Sequence, residues 1–313
     1  METLLKTEHL KKYYGSKKVV RAVDDVSLEI REGSSLALIG ESGSGKTTFG
    51  KVAANLEKAT DGKVFFQGEE IQGLKMGAMR RHRKNMQMIF QSSNGVFDPG
   101  YTIGENIREI LKNYEKLTGQ EYEQRIEEAL AQTGLDPELK NRYVSQLSGG
   151  QCQRANIARA LILRPKLVIC DEPVSSLDYS IRKQILNLLN DIQNRFSVTY
   201  LLITHDLSNV PYLCKEVAIM YMGTIVEYMD GTQDMREKAK HPYTLKLFDS
   251  IPASDPAKRT IGVQTAEAMS VSAFWSQGCP YQNRCAYCSE LCKTQRPQLK
   301  EIQKGHKIAC HLY

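Results

Sequence analysis

A glycine-rich stretch near the N-terminus has the residue types that hold a phosphate chain. Segment 34–56 begins as an apolar, strand-like run and ends in a helical pattern, and between the two lies GESGSGKTT (40–48). It fits the pattern G-x-x-x-x-G-K-S/T, whose glycines let backbone N–H groups and a helix N-terminus face the anion. Lys46 would reach the outer phosphates, and the Thr47 hydroxyl would bind Mg²⁺. The residues expected to line this site are Gly40, Ser42, Gly43, Ser44, Gly45, Lys46, Thr47 and Thr48.

Two carboxylates end a second apolar run, KLVICDEP (166–173). Apolar residues in a row suit a buried parallel strand, whose carboxyl end opens on a ligand crevice. At that end Asp171 would hold the Mg²⁺, and Glu172 would polarise the attacking water as a general base. An acidic pair after a strand can also be a turn or a helix cap, but the nearby phosphate loop favours the catalytic interpretation.

A third motif, LSGGQCQR (147–154), stands immediately before an alanine-rich helical run. Ser148, Gly149 and Gly150 at a helix start, followed by Gln151, would form another anion-binding turn. One nucleotide does not need two such loops from the same chain. We therefore expect a head-to-tail dimer, in which this loop of each chain caps the γ-phosphate bound by its partner.

Together with SSLD (175–178) and THD (204–206), these motifs resemble those of ATP-binding-cassette (ABC) ATPases in order and spacing. The resemblance runs from about residue 4 to residue 235, and LSGGQ separates this family from other phosphate-loop enzymes. It implies an enzyme that hydrolyses ATP with Mg²⁺.

The resemblance implies roles for residues outside the three motifs. Tyr14 would stack on adenine. Gln91 would bind Mg²⁺ together with the motif residues and would sense the membrane partner. His205 would contact the γ-phosphate, and Asp178 belongs to a loop that communicates between the two ATP sites.

The expected fold is that of an α/β phosphate-loop NTPase of the ABC type over residues 1–235. Its RecA-like core would hold a central, mostly parallel sheet. Residues 64–71 predict short antiparallel strands, and a helical subdomain over about 92–158 would carry LSGGQ after two amphipathic helices.

Residues 236–313 resemble the C-terminal extension of importers of the dipeptide, oligopeptide and nickel group, at HPYT (241–244), SIP (250–252) and GCP (278–280). We expect this extension to be a small cysteine-rich unit that lies apart from the ATP site. The implied function is an ATPase subunit that powers import of peptides, or of a related small solute such as nickel complexes.

Five of the eight cysteines fall in the last 35 residues. In some members of the importer group these cysteines carry a 4Fe–4S cluster, and the four matching positions are Cys279, Cys285, Cys292 and Cys310. Cys288 is then an extra thiol. Zinc is an alternative, because His306 and His311 lie nearby in the sequence, and unligated buried thiols are another. A disulfide is disfavoured in the cytosol.

Charge and hydropathy narrow the class of protein. The net charge of +6 is modest and no basic block is longer than RRHRK (80–84), so nucleic acid is not an expected partner. The N-terminus lacks the apolar run of a signal peptide, and no stretch approaches the length of a transmembrane helix. We expect a peripheral subunit on the cytoplasmic face of the cell membrane.

The expected partners follow from the importer resemblance. They are two membrane permease subunits, a homologous ATPase subunit with which the chain would form a heterodimer, and an extracytoplasmic substrate-binding protein. The alternative is a soluble ABC ATPase that acts on ribosomes or DNA. Proteins of that class usually carry two cassettes or a long coiled coil, and the sequence shows neither.

Overall fold

The computed structural model describes residues 2–91, 95–250 and 277–313. The strands are β1 (Thr3–Tyr14), β2 (Val20–Arg31), β3 (Ser35–Ile39), β4 (Asp61–Phe66), β5 (Glu69–Glu70), β6 (Met86–Ile89), β7 (Leu167–Asp171), β8 (Thr199–Thr204), β9 (Glu216–Tyr221), β10 (Thr224–Asp230), β11 (Lys300–Gln303) and β12 (His306–Ile308). The α-helices are α1 (Lys46–Ala53), α2 (Met76–Asn85), α3 (Ile103–Tyr114), α4 (Gly119–Gln132), α5 (Gly149–Leu161), α6 (Tyr179–Phe196), α7 (Val210–Leu213), α8 (Met235–Lys238), α9 (Pro242–Asp249) and α10 (Glu290–Thr294).

The larger sheet has eight strands in the order β11-β12-β10-β9-β3-β8-β7-β6. The strands from β9 to β6 run parallel, while β10, β12 and β11 add an antiparallel edge. Every residue of β3, β7 and β8 is buried, as expected for parallel strands covered on both faces. The predicted α/β class is confirmed, although the sheet is mixed because of its antiparallel edge.

Parallel order also decides where the motifs meet. The carboxyl ends of β3, β7, β8 and β6 lie along one edge of the sheet, and each is followed by a predicted site residue. A ligand crevice at this edge is the usual result of such a sheet.

A second, antiparallel sheet has the order β2-β1-β4-β5. The pairing of Phe65 with Glu70 and of Phe66 with Glu69 confirms the short antiparallel strands predicted near residues 64–71. The long β1–β2 pair was not predicted, and its register shifts several times. Its buried face packs with α1 and with one face of the larger sheet in a single apolar core.

The helical subdomain contains the two expected amphipathic helices. Thr102 and Glu105 form a capping box at the start of α3, and Thr118 and Glu121 form another at the start of α4. Such boxes satisfy N–H groups that a helix start leaves unpaired. The apolar faces of α3 and α4 pack against α5 in their own core. Residues 92–94, at the expected start of this subdomain, lie outside the described residues.

The C-terminal residues add strands to the sheet that carries the phosphate loop. Strand β12 pairs with β10, and β11 pairs with β12. The His306 ring lies 2.8 Å from Glu227 Oε1, and both residues are buried. Of SIP, only Ser250 lies within the described residues. Among the helices in 2–91, 95–250 and 277–313, none is long and apolar enough to span a bilayer.

Candidate active site

The phosphate loop runs from the end of β3 to the start of α1 and fits closely against neighbouring backbone. Gly45, at the N-cap of α1, has φ +103°. A Cβ there would lie 1.9 Å from the Ala22 carbonyl oxygen, and a Cβ on Gly40 would lie 2.2 Å from the Met220 carbonyl oxygen. Glycine is therefore required at both ends of the loop.

Lys46 is buried, and its ammonium group faces the loop. Its Nζ donates to the Gly40 and Glu41 carbonyl oxygens, both at 2.8 Å, and to Ser44 Oγ at 3.2 Å. Burial lowers the pKa of Lys46. These acceptors carry no formal charge, so a phosphate oxygen would compensate the buried cation better.

Asp171, the last residue of β7, accepts a hydrogen bond from Thr47 Oγ1 at 2.9 Å. Burial raises the pKa of this carboxyl group, and the Thr47 hydrogen bond opposes the shift only in part. A divalent cation bound by Asp171 and Thr47 would remove that penalty. The two residues therefore fit the Mg²⁺ role that the sequence suggests.

The structure brings Gln91 and His205 into direct contact with the predicted general base, Glu172. Glu172 Oε2 accepts a hydrogen bond from Gln91 Nε2 at 3.0 Å, and Glu172 Oε1 lies 2.8 Å from His205 Nδ1. These residues follow β6, β7 and β8, so the parallel order of the sheet explains their meeting. Glu172 also has φ +48°, an uncommon backbone conformation for a non-glycine residue.

Tyr14, at the end of β1, keeps 38% of its surface exposed. Its hydroxyl donates to Glu57 Oε1 at 2.5 Å, and Lys12 Nζ lies 4.8 Å from the ring centre. Glu57 thus holds the hydroxyl end of the side chain, while part of the ring remains exposed to solvent. Of the remaining loop residues, Ser42 and Gly43 are exposed and Thr48 is half-buried.

The LSGGQ residues lie at the exposed start of α5. Ser148 Oγ accepts from the Gln151 N–H at 3.3 Å, and Gln151 Oε1 accepts from the Ser148 N–H at 2.9 Å. A Cβ on Gly150 would lie 3.2 Å from Ile181 in α6, the helix that begins after Asp178. These described contacts join the motif to the Asp178 loop and not to the phosphate loop of the same chain.

The four matching cysteines line one cavity, together with His241 and His311. Burial raises the pKa of Cys279 to about 11. The Cys279 N–H donates to the Cys292 carbonyl oxygen at 2.7 Å, and a Cβ on Gly278 would lie 2.2 Å from that oxygen, which explains the glycine of GCP. Cys288 does not line the cavity.

No group of three His, Cys, Asp or Glu side chains arranged to hold a metal ion is found in residues 2–91, 95–250 and 277–313. His306, considered as a zinc ligand, is instead bound to Glu227 within the sheet. Its nearness to the cysteines in sequence therefore does not make it a ligand. His311 lines the cavity, with Nε2 2.8 Å from the Gln295 carbonyl oxygen.

The C-terminal extension, residues 236–313 (the tail), also contacts the phosphate loop. This contact contradicts the expectation that the tail lies apart from the ATP site. Arg284 forms two hydrogen bonds with Glu41, and Tyr243 of HPYT accepts one from the Glu41 N–H. The sequence analysis gave neither Arg284 nor Tyr243 a role at the phosphate loop. The HPYT motif marked Tyr243, but nothing in the sequence marked its partner.

Two family models match the chain. "ABC transporter" matches residues 23–175, and "Oligopeptide/dipeptide transporter, C-terminal region" matches residues 226–292. The chain is 40% identical to the oligopeptide transport ATP-binding protein AppF of Bacillus subtilis (strain 168), over the whole chain and 98% of the relative. It is 42% identical to the oligopeptide transport ATP-binding protein OppF of Salmonella typhimurium (strain LT2), over 94% of the chain and 88% of the relative.

Among solved structures, a dimeric post-hydrolysis state of an ATP-binding cassette bound to ADP and Pi superposes with a TM-score of 0.67. It is 28% identical and covers 72% of this chain and 98% of its own. The sequence relatives and this fold agree with the order of motifs around the crevice. The chain therefore belongs to the ABC transporter family, as one of its ATP-hydrolysing subunits.

Proposed function

We propose that this chain powers the import of peptides, or of a related small solute, by hydrolysing ATP at the crevice beside Lys46. The observation that carries the chemistry is the placement of Glu172 between Gln91 and His205. The peptide class rests on the relatives, two of which are named oligopeptide transport ATP-binding proteins. The importer extension that matches residues 226–292 supports the same class.

The chain's own residues divide the work of hydrolysis. Lys46 and the backbone N–H groups of the phosphate loop hold the phosphate chain. Glu172 accepts a proton from the attacking water, and Gln91 and His205 orient its two carboxylate oxygens. Thr47, Asp171 and Gln91 would bind Mg²⁺, which when bound neutralises charge on the phosphates. Tyr14 would stack on the adenine.

The second anion-binding turn completes the site of another chain. Ser148, Gly149, Gly150 and Gln151 would meet the γ-phosphate bound by a partner, and Asp178 would lie beside that junction. A homologous ATPase subunit is the preferred partner, which gives a heterodimer. The assembly would dock on two permease subunits at the cytoplasmic face of the membrane and receive solute from an extracytoplasmic binding protein.

We propose that the chain consists of an ATPase domain over 1–235, with its helical subdomain over about 92–158, and an extension over 236–313.

Reconstitution of the full assembly in vesicles tests the function. Peptide should accumulate inside the vesicles in an ATP-dependent manner. ATPase activity should rise when peptide-loaded binding protein is added. ATPase activity that does not depend on the permeases, together with co-sedimentation with ribosomes or DNA, would support the alternative class.

We propose in addition that Cys279, Cys285, Cys292 and Cys310 form a metal cage, with a 4Fe–4S cluster as its content. The supporting observation is that all four line one cavity while Cys288 does not. Four thiolates are the usual ligands of such a cluster, and their spacing in the chain can be irregular. The cluster would add to the contacts that already hold the tail against the rest of the chain.

Anaerobic purification and metal analysis test the cage. A cluster gives brown protein with about four irons per chain, whereas zinc gives colourless protein with about one metal ion per site. Serine substitution of any of the four cysteines should remove the metal, and Cys288→Ser should not. Colourless protein free of iron would contradict the cluster, and a requirement for Cys288 would contradict the ligand assignment.

A further inference from the structure

Two contacts from the C-terminal residues converge on one residue of the phosphate loop, Glu41. The Tyr243 hydroxyl accepts a hydrogen bond from the Glu41 backbone N–H at 2.9 Å. Arg284 donates from Nη1 and Nη2 to the two carboxylate oxygens of Glu41, at 2.9 and 3.1 Å. The backbone and the side chain of Glu41 are thus held by different parts of the tail.

Two tyrosine rings lie beside the guanidinium group of Arg284, whose side chain is partly exposed. Its Cζ lies 5.8 Å from the ring centres of both Tyr221 and Tyr281. Those two rings and Tyr243 form one aromatic cluster, with centres 4.5 to 5.5 Å apart. An arginine stacked on aromatic faces loses less entropy when it forms a bidentate pair with a carboxylate.

A second arginine attaches the same tail near the adenine side of the site. Arg296 donates to Asp24 Oδ2 at 2.7 Å and to the Asp24 carbonyl oxygen at 2.8 Å. Asp24 is buried and also accepts from the hydroxyl of Tyr13, the residue before Tyr14. Burial would raise the pKa of Asp24, but the Tyr13 hydrogen bond and the Arg296 charge leave it lowered. The pair therefore stays ionised and anchors the tail.

Glu41 is the acidic residue of GESGSGKTT, and its charge opposes an anion bound by that loop. We propose that Arg284 is a positioning residue of the nucleotide site. It neutralises the charge of Glu41, so that the loop can receive the phosphates, while Tyr243 fixes the loop backbone. This inference rests on the proposed binding of phosphate by residues 40–48. It makes the extension a structural part of the ATP site and not only a metal-binding appendage.

The test measures nucleotide affinity and turnover for full-length variants in the assembled complex. Arg284→Ala should raise the KM for ATP about three- to five-fold, the worth of a partly exposed ion pair, with little change in kcat. Arg284→Lys should recover only part of the loss, since lysine cannot form the bidentate pair. Glu41→Gln in the Arg284→Ala background should restore the KM, because it removes the unpaired charge.

The rescue separates positioning from a merely structural role. A tail that came loose without Arg284 would not be repaired by a change at Glu41. Arg236→Ala is the matched control, because Arg236 pairs with Asp249 at 3.0 Å on an exposed surface. An unchanged KM in Arg284→Ala, or failure of Glu41→Gln to restore it, overturns the inference. If the unaltered chain did not bind ATP, that result would instead contradict the proposed function.

Discussion

The two glycine-rich helix starts of this chain are built differently. At α1 the N-cap is Gly45, which provides no side-chain cap, so the first N–H groups of the helix stay open to an anion. At α5 the side chains of Ser148 and Gln151 cap each other's backbone N–H groups. That box uses one N–H group of the helix start and leaves those of Gly149 and Gly150 open.

Their surroundings differ as well. The start of α1 lies beside a buried ammonium group, Lys46, and beside Asp171 with its raised pKa. The start of α5 is exposed and packs against Ile181 of α6. The start of α1 therefore has charged groups beside it that could bind phosphate and Mg²⁺, whereas the start of α5 has none in the contacts described above, which agrees with the proposal that it meets the phosphate of a second chain. Substitutions at the two places should fail in different ways.

The largest effect should come from Lys46→Ala. It removes a buried cation that the phosphates would compensate, so ATP binding and turnover should both be lost at this chain's own site. Binding can be measured with a fluorescent ATP analogue. Lys112→Ala, at an exposed position of α3, is the control and should bind ATP normally. Retained affinity in Lys46→Ala would remove this lysine from the phosphate site.

Ser148→Arg should separate binding from turnover. Its own phosphate loop should still bind ATP, but a bulky cation at the start of α5 should block hydrolysis at the composite site. The change also removes a helix cap, at a cost of about 1 kcal/mol. Thr118→Ala removes the equivalent capping box from α4 and should leave hydrolysis intact. Normal ATPase activity of Ser148→Arg in the assembled complex would contradict the head-to-tail dimer.

Glu172→Gln should slow hydrolysis by about 10²-fold while ATP binding is kept. Glutamine retains the shape of the side chain but cannot accept the proton of the attacking water. The ATP-bound dimer should therefore accumulate and elute as the larger species in size-exclusion chromatography. Turnover at the normal rate, measured with the partner ATPase and permeases present, would show that another residue is the base.

The sequence was sufficient for the parts of the site that depend on local chemistry. The phosphate loop and the acidic pair are contiguous motifs. Gln91 and His205 were marked by the resemblance to ABC ATPases, and they meet Glu172 because each follows a parallel strand of one sheet. The two capped helices of the helical subdomain also follow from local patterns. In all of these, residue type and neighbouring structure determine the position of the side chain.

Contacts between distant segments could not be read in the same way. Arg284 and Glu41 are 243 residues apart, and neither belongs to a motif whose partner is known. The pairing of β12 with β10, which places His306 against Glu227, depends on tertiary packing of a short strand with weak local preference. This is why the sequence suggested a tail that lies apart from the ATP site, and a histidine available to zinc.

The smallest effect is expected from a change in the tail. The tail contacts the phosphate loop, which precedes α1, through Arg284. Cys285 follows Arg284 directly and lines the cysteine cavity. Cys285→Ser should therefore loosen Arg284 and raise the KM for ATP about two-fold, part of the worth of the ion pair. Cys288→Ser is the matched control, because Cys288 does not line the cavity. Both variants should be purified anaerobically and assayed in the assembled complex. Equal KM values for the two would show that the cavity and the phosphate loop are independent.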